Sequence, residues 1–220
     1  MRPRRTAVLR PSAAAARSRR VKTRPPHISN LLPRDGQAVY LPRFLAGEEA
    51  RGAFGELRTA LAWKQPQLRL FGRTVAAPRL EAWHGDPGAG YRYSGLNHDP
   101  APWTPLLLTL RERIERVSNA RYNSVLINLY RDGGDSNGWH ADDERELGPE
   151  PAIASLSLGT ARRFLLRHRA DATQVEIVLE DGSLLLMRGR TQQCWKHTVP
   201  KERRVRDPRI NLTFRYVFPR

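Results

Sequence analysis

Three side chains in this sequence have the types and spacing of a metal site. Trp139-His140-Ala141-Asp142 follows a turn-forming run, Asp132-Gly133-Gly134-Asp135. In an extended chain, residues two apart project from the same face, so His140 and Asp142 offer an imidazole nitrogen and a carboxylate oxygen to one point. His197, in Trp195-Lys196-His197-Thr198-Val199-Pro200, supplies a candidate third ligand. Two histidines and one carboxylate leave three octahedral positions open, which suits Fe(II) taking a cosubstrate and dioxygen together. The same set also suits zinc, and His-x-Asp alone is equally compatible with hydrogen-bonded structural residues.

A second group of polar residues alternates along the last strand. Ile210, Leu212 and Phe214 face one way, and Arg209, Asn211, Thr213 and Arg215 the other. Two arginines and an amide turned into a β-barrel are costly to bury without partners. A dicarboxylate would satisfy them, because the guanidinium fork matches a carboxylate at two points. An exposed edge strand with a solvated polar face is the alternative. Asn128 and Tyr130, two apart on an earlier strand, offer an amide and a phenol to the same ligand.

The elements that must position these groups are legible from periodicity. Residues 47–63 place Ala50, Phe54, Leu57, Leu61 and Trp63 at helical spacing. Short extended pieces follow at 66–72 and 78–83. Thr104-Pro105 reads as an N-cap and first helical position, opening a helix over 105–118 with Leu106, Leu107, Leu110, Ile114 and Val117 on one side. Beyond it, residues 123–130, 152–159, 162–169, 174–180, 183–189 and 210–218 are short, β-rich and separated by turn residues. Helices first and strands afterwards predict an α+β protein whose strands form a sandwich or jelly roll.

Composition narrows the class. The 220 residues carry 38 Lys+Arg against 22 Asp+Glu, a net charge of +16, which points to polyanions such as nucleic acid. No apolar run approaches the roughly 18 residues of a transmembrane helix, so no membrane partner is expected. A single cysteine, Cys194, excludes an intrachain disulfide framework and reads as a neutral buried thiol. Residues 1–26 hold nine Lys and Arg and no acid, so residues 1–35 read as a basic, disordered arm, with an organellar targeting peptide as the rival reading. The folded domain is expected over 36–220.

Taken in order, Asn128-Leu129-Tyr130-Arg131-Asp132-Gly133, His140-Ala141-Asp142-Asp143-Glu144, His197 and Arg209-Ile210-Asn211-Leu212-Thr213-Phe214-Arg215 resemble the AlkB family of Fe(II)- and 2-oxoglutarate-dependent dioxygenases. The similarity runs from about residue 65 to 218. His-x-Asp-Asp-Glu, with Ile153-Ala154-Ser155-Leu156-Ser157-Leu158-Gly159, matches its nucleic-acid repair demethylase branch. The resemblance implies a double-stranded β-helix (jelly-roll) core over about 120–218, N-terminal helices packed on one sheet, and a nucleotide-recognition cover over about 65–100. It implies Fe(II) on His140, Asp142 and His197. Arg209 and Tyr130 would hold the distal carboxylate of 2-oxoglutarate, and Asn128, Asn211 and Arg215 its keto-acid end.

The activity implied is oxidative demethylation of bases such as 1-methyladenine and 3-methylcytosine. Dioxygen and 2-oxoglutarate would be consumed, and succinate, carbon dioxide and formaldehyde released. Glu144 would contact the damaged base. A stacked base is out of reach, so the target must be single-stranded or flipped out. Leu70-Phe71-Gly72-Arg73 resembles the hydrophobic finger of duplex-acting relatives, although Phe71 as ordinary core fits equally. Tyr91 and Tyr93 match a segment over the pocket and offer stacking or phosphate contacts. Arg73, Arg79, Arg162, Arg163, Lys201, Arg203 and Arg204 are phosphate candidates. The expected partner is DNA in preference to RNA, and the expected state is a monomer. The expected location is intracellular: cytoplasmic or nucleoid-associated in a bacterium, nuclear or organellar in a eukaryote. A same-fold oxygenase acting on RNA, protein or lipid, and a non-catalytic nucleic-acid binder, are the competing functions.

Overall fold

Alternating apolar and polar residues on successive strands build two layers here. The computed structural model describes residues 29–70, 72–93 and 96–218, without the side chains of 70, 91–93 and 96–98. In chain order the elements are β1 (Gln37–Leu41), α1 (Gly47–Ala60), β2 (Gln67–Leu70), β3 (Arg73–Ala76), β4 (Leu80–Gly85), β5 (Tyr91–Tyr93), β6 (Leu96–His98), α2 (Pro105–Ser118), β7 (Ser124–Tyr130) and β8 (Asn137–His140). They continue with β9 (Ile153–Gly159), β10 (Arg162–His168), β11 (Gln174–Leu179), β12 (Ser183–Arg188), α3 (Thr191–Cys194), β13 (Trp195–Val199) and β14 (Arg209–Arg215). A six-stranded sheet runs β1-β12-β9-β14-β7-β4, and a four-stranded sheet runs β11-β10-β13-β8. Their pairings are antiparallel.

The larger sheet lies between two apolar clusters. Val125, Ile127 and Leu129 of β7, Ala154, Leu156 and Leu158 of β9, and Ile210, Leu212 and Phe214 of β14 join Ala50, Ala53 and Leu57 of α1 and Leu107, Leu110 and Ile114 of α2 in one apolar cluster. Both helices therefore cover the outer face of that sheet. The inner face meets the smaller sheet in a second cluster, where Ile153, Leu185 and Met187 pack with Phe164, Leu166, Ile177, Trp195 and Val199. The result is the jelly-roll sandwich with helices on one sheet that the pattern predicts.

Thr104 caps α2 as expected, its side chain accepting from the Leu107 amide at 3.3 Å. The helix predicted over 47–63 is shorter and stops at Ala60. Leu61 turns extended, and the Trp63 indole folds back to donate to the Arg58 carbonyl at 3.0 Å. Packing also begins before residue 36: Leu32 is buried, and the Asn30 side-chain oxygen accepts from the amides of Leu32 and Ala38. Residues 1–28 lie outside the described residues.

Gly159 ends β9 opposite Arg209 of β14. Its φ of +83° is left-handed, and a Cβ there would sit 2.7 Å from the Pro208 carbonyl oxygen and 2.8 Å from the Phe54 ring. Gly159→Ala is expected to cost about 1–3 kcal/mol from backbone strain alone. A urea unfolding midpoint lowered accordingly is the expected result; an unchanged midpoint contradicts the packing.

Candidate active site

The inner face of β14 carries the polar residues that the outer face lacks. Arg209 pairs in register with Tyr130 of β7 and Gly159 of β9, and Asn211 with Asn128 and Ser157. The two strands thus bring Arg209, Tyr130, Asn128 and Asn211 onto one patch, as the alternation predicts. Ser155 and Ser157 complete it, though they entered the sequence reading only as part of a matching string. Ser157 Oγ accepts from Arg209 Nη2 at 2.9 Å, and Asn211 Oδ1 accepts from both Arg209 Nη2, at 2.7 Å, and Ser155 Oγ, at 2.9 Å. Asn211 Nδ2 donates to Thr213 Oγ1 at 2.8 Å. Two serines at alternate positions of an otherwise apolar strand were the available signal.

Arg209 is the unusual member. It is 1% exposed, and among the described residues its Nε and Nη1 have no hydrogen-bond partner. Among the described residues no carboxylate lies within ion-pair distance of it. Burial pulls its pKa down to about 10, with the Tyr130 phenol beside it opposing the shift. The guanidinium stacks over the Tyr130 ring at 5.3 Å, and burial raises the phenol against the pull of Arg209. A buried cation with two donors free is the chemistry of an anion site.

The metal candidates gather beyond the other end of β14. Ligand atoms of His140, Asp142 and His197 all lie within 4.8 Å of one another. His197 on β13 faces His140 on β8 in register, with ring centroids 4.2 Å apart. His140 Nδ1 meets the Gly138 carbonyl at 2.8 Å, and a proton on Nδ1 makes Nε2 the acceptor nitrogen of the ring. The Asn137 amide donates to that Nε2 at 3.2 Å. His197 is buried against Phe164, and among the described residues its Nδ1 has no hydrogen-bond partner. Burial, reinforced by His140, depresses its pKa to about 3, so the ring is neutral and free to ligate. Burial would raise the Asp142 carboxyl, but Arg215, then His197 and His140, hold it below its ordinary value and keep it ionised. Neutral nitrogen, anionic oxygen and an orphaned buried ring atom fit a divalent metal.

Asp142 does not reach this point by strand alternation, because β8 ends at His140. Side chains hold it instead. Arg215 Nη2 donates to Asp142 Oδ1 at 2.6 Å, and Gln192 Oε1 accepts from the Asp142 amide at 3.0 Å. Gln192 sits on α3, is 1% exposed, and rests its own amide nitrogen 3.7 Å from the Met187 sulfur. Arg169 braces the next residue, donating to Asp143 Oδ2 at 2.7 Å and to the Gln192 carbonyl at 3.3 Å. Neither Gln192 nor Arg169 has a sequence signal apart from nearness to His197 or the strands.

Other expected contacts are placed differently. The Arg79 guanidinium, with its side chain 12% exposed, points inward: Nε donates to Asn128 Oδ1 at 3.0 Å and to Glu81 Oε1 at 2.9 Å. It orients Asn128 and is committed to these partners, which leaves little of it for a phosphate. Arg162 is 1% exposed, so it too lies inside the fold rather than on a nucleic-acid face. Arg163 is exposed and ion-paired with Glu176. Cys194 is only half-buried. Glu144 stands exposed at the rim; the protein around it still desolvates its carboxyl enough to raise it, with Arg215 opposing and Asp142 adding. Tyr91 and Tyr93 lie on β5, paired with β6, but their side chains lie outside the described residues, as does Phe71 entirely.

Fold and site together define a jelly-roll sandwich that holds a candidate metal cluster and a buried arginine with donors to spare. The chain matches the 2OG-Fe(II) oxygenase superfamily over residues 37–215 and belongs to that superfamily, within its AlkB family. It is 45% identical over 188 residues to the alpha-ketoglutarate-dependent dioxygenase alkB homolog 3 of Bos taurus, covering 81% of this chain and 65% of the relative. It is 42% identical over 161 residues to the DNA oxidative demethylase ALKBH2 of Mus musculus, covering 70% of this chain and 67% of the relative. The chain therefore spans about two thirds of the length of these relatives. The solved structure of OsALKBH1 shares the fold with a TM-score of 0.59 at 19% identity, over 81% of this chain and 97% of that one.

Gln192→Leu keeps the volume but strands the Asp142 amide, a loss of about 1–3 kcal/mol for a buried donor. Outer-shell losses typically weaken metal binding by about 10–100-fold. Mn(II) titration followed by electron paramagnetic resonance should show such a loss; wild-type affinity would remove Gln192 from the site.

Proposed function

We propose that this chain is an Fe(II)- and 2-oxoglutarate-dependent dioxygenase that demethylates bases such as 1-methyladenine and 3-methylcytosine in DNA. The observation that carries this reading is one inner sheet face joining two complementary sites. Arg209, buried with donors free, stands at one end of β14, and Arg215 at the other end bonds the carboxylate of the His140–Asp142–His197 cluster. The relatives named as an alpha-ketoglutarate-dependent dioxygenase and a DNA oxidative demethylase support it.

In this reading His140, Asp142 and His197 hold the metal. Arg209 receives the distal carboxylate of 2-oxoglutarate beside the Tyr130 phenol, while Ser157 and Asn211 aim its guanidinium. Asn128, oriented by Arg79, and Arg215, anchored on Asp142, attend the keto-acid end. Fe(II) held by these three residues would, with dioxygen and 2-oxoglutarate, supply the oxidation of an N-methyl group, whose carbon would leave as formaldehyde while succinate and carbon dioxide form. The two sheets bury the reacting end away from water, since Asp142 and His197 are both nearly inaccessible.

Recognition belongs to the rim. The exposed Glu144 carboxylate, two residues past Asp142, favours a positively charged methylated base. Tyr91 and Tyr93 are stacking candidates on β5, worth roughly 1–3 kcal/mol per base. All four residues of β3 are exposed, so the β2–β3 hairpin that flanks Phe71 in sequence stands clear of the sandwich. Flipping a base out of a duplex with an apolar wedge needs such a projecting element. The +16 charge provides the sequence-independent attraction to phosphate, and DNA is the favoured polymer.

The test is formaldehyde release from oligonucleotides containing 1-methyladenine, as single-stranded DNA, duplex DNA and RNA, with Fe(II) and 2-oxoglutarate. Release by the wild type, strongest on DNA, and none by a folded His140→Ala variant are expected. Succinate formed without formaldehyde from any oligonucleotide would leave a dioxygenase with a different substrate and overturn the demethylase reading.

A further inference from the structure

Arg162 is a buried cation that the site described above does not use. It opens β10 and is 1% exposed, yet every nitrogen of its guanidinium is engaged. Nε donates to Glu202 Oε1 at 3.0 Å, Nη1 to the Asp132 carbonyl at 3.0 Å, and Nη2 to the carbonyls of Asp135 and Pro200 at 2.8 and 2.7 Å. These acceptors belong to two separate loops, 131–136 between β7 and β8 and 200–208 between β13 and β14. The loops are themselves zipped together. The Glu202 amide donates to the Gly133 carbonyl at 2.8 Å, and the Gly133 amide to the Val205 carbonyl at 3.0 Å. Gly133 is obligatory there, because a Cβ would overlap the Glu202 carbonyl.

The register locates this junction. Leu166 of β10 pairs with the metal-site residue His197, and Arg162 lies four residues back from Leu166, toward the end of the sandwich where Arg209 pairs with Tyr130 and Gly159. The Arg162 guanidinium stacks over the Tyr130 ring at 5.6 Å, and that of Arg209 over the same ring at 5.3 Å. Two cations therefore fix one phenol. Stability alone is a poor reason for such an arrangement, since a buried ion pair can often be replaced by apolar residues without loss. Within ion-pair distance it meets one carboxylate, Glu202, and its remaining acceptors are backbone carbonyls, so the fork is fixed by geometry on every side.

We propose that Arg162 is a positioning residue that closes the Arg209 end of the pocket, holding Tyr130 in place so that a five-carbon 2-oxo diacid fits and a longer one does not. The proposal rests on the cosubstrate reading of Arg209. Shortening Arg162 frees room behind the Tyr130 ring and slackens both loops, so the pocket deepens and the distal carboxylate loses its fixed seat. A role confined to stability would lower the melting temperature and weaken all 2-oxo acids in proportion. A role in setting the pocket's depth changes their ratio.

The experiment is calorimetric titration of the Mn(II)-loaded full chain with 2-oxoglutarate and with 2-oxoadipate, one methylene longer. The wild type is expected to prefer 2-oxoglutarate at least about tenfold, as one misplaced methylene can impose. Arg162→Gln should weaken 2-oxoglutarate about tenfold and leave 2-oxoadipate within about threefold, so that the preference collapses. Arg162→Lys, which keeps the charge but not the fork, should fall between, and it is read in the same way where the Gln variant does not fold. An unchanged preference in a folded variant overturns the clamp. A wild type that binds neither diacid overturns the cosubstrate reading, and the clamp with it.

Discussion

The charge of Arg209, buried with no carboxylate in ion-pair distance among the described residues, is the constraint on which the rest of this structure turns. A guanidinium inside a sandwich is expensive, and among the described residues two of its nitrogens have no hydrogen-bond partner. The surroundings reduce that cost without removing it. Ser157 and Asn211 take one nitrogen, the Tyr130 ring takes the face, and burial still depresses the pKa to about 10. A carboxylate matches the donors that are left, which is why the proposed cosubstrate site is placed here. Because Asn211 accepts from both Arg209 and Ser155, the cation is also held in one orientation before any ligand arrives.

Strand alternation makes this arrangement affordable to the fold. On β14, Ile210, Leu212 and Phe214 join the helix-covered core, while Arg209, Asn211, Thr213 and Arg215 turn between the sheets. One strand thus contributes both to the main apolar cluster and to both ends of the site. The smaller sheet contributes His140 and His197 from adjacent strands in register, which places two candidate ligands through backbone pairing. Asp142, the third candidate, is secured differently, through Gln192 and Arg215, so its position depends on side-chain contacts between distant parts of the chain.

What could be read from the sequence followed the range of the physics involved. The polar face of β14 and the Asn128–Tyr130 pair were legible because alternation with period two is local. The α2 boundaries were legible from Thr104 and Pro105 for the same reason. The ordered motifs carried the family, which the comparisons establish. Strands β1, β8 and β13 were not legible as strands: they are short, and β13 is buried along almost its whole length, so it shows no alternation. Arg79 and Arg162 were read as surface charges because composition cannot say which arginines have internal acceptors. Glu81 for the one, and four oxygens from two loops for the other, come together only in the folded chain. Gln192 was invisible for the same reason, since its partner Asp142 is 50 residues away.

The most direct test of this account is the affinity of Mn(II)-loaded protein for 2-oxoglutarate in the wild type and in Arg209→Met, which preserves apolar bulk and removes the charge. Breaking a buried ion pair costs about 3–5 kcal/mol, so binding should weaken by at least about a hundredfold while Mn(II) affinity is unchanged. Equal 2-oxoglutarate affinity in the two proteins would contradict the account, because the buried cation would then have no part in holding the ligand it is inferred to await.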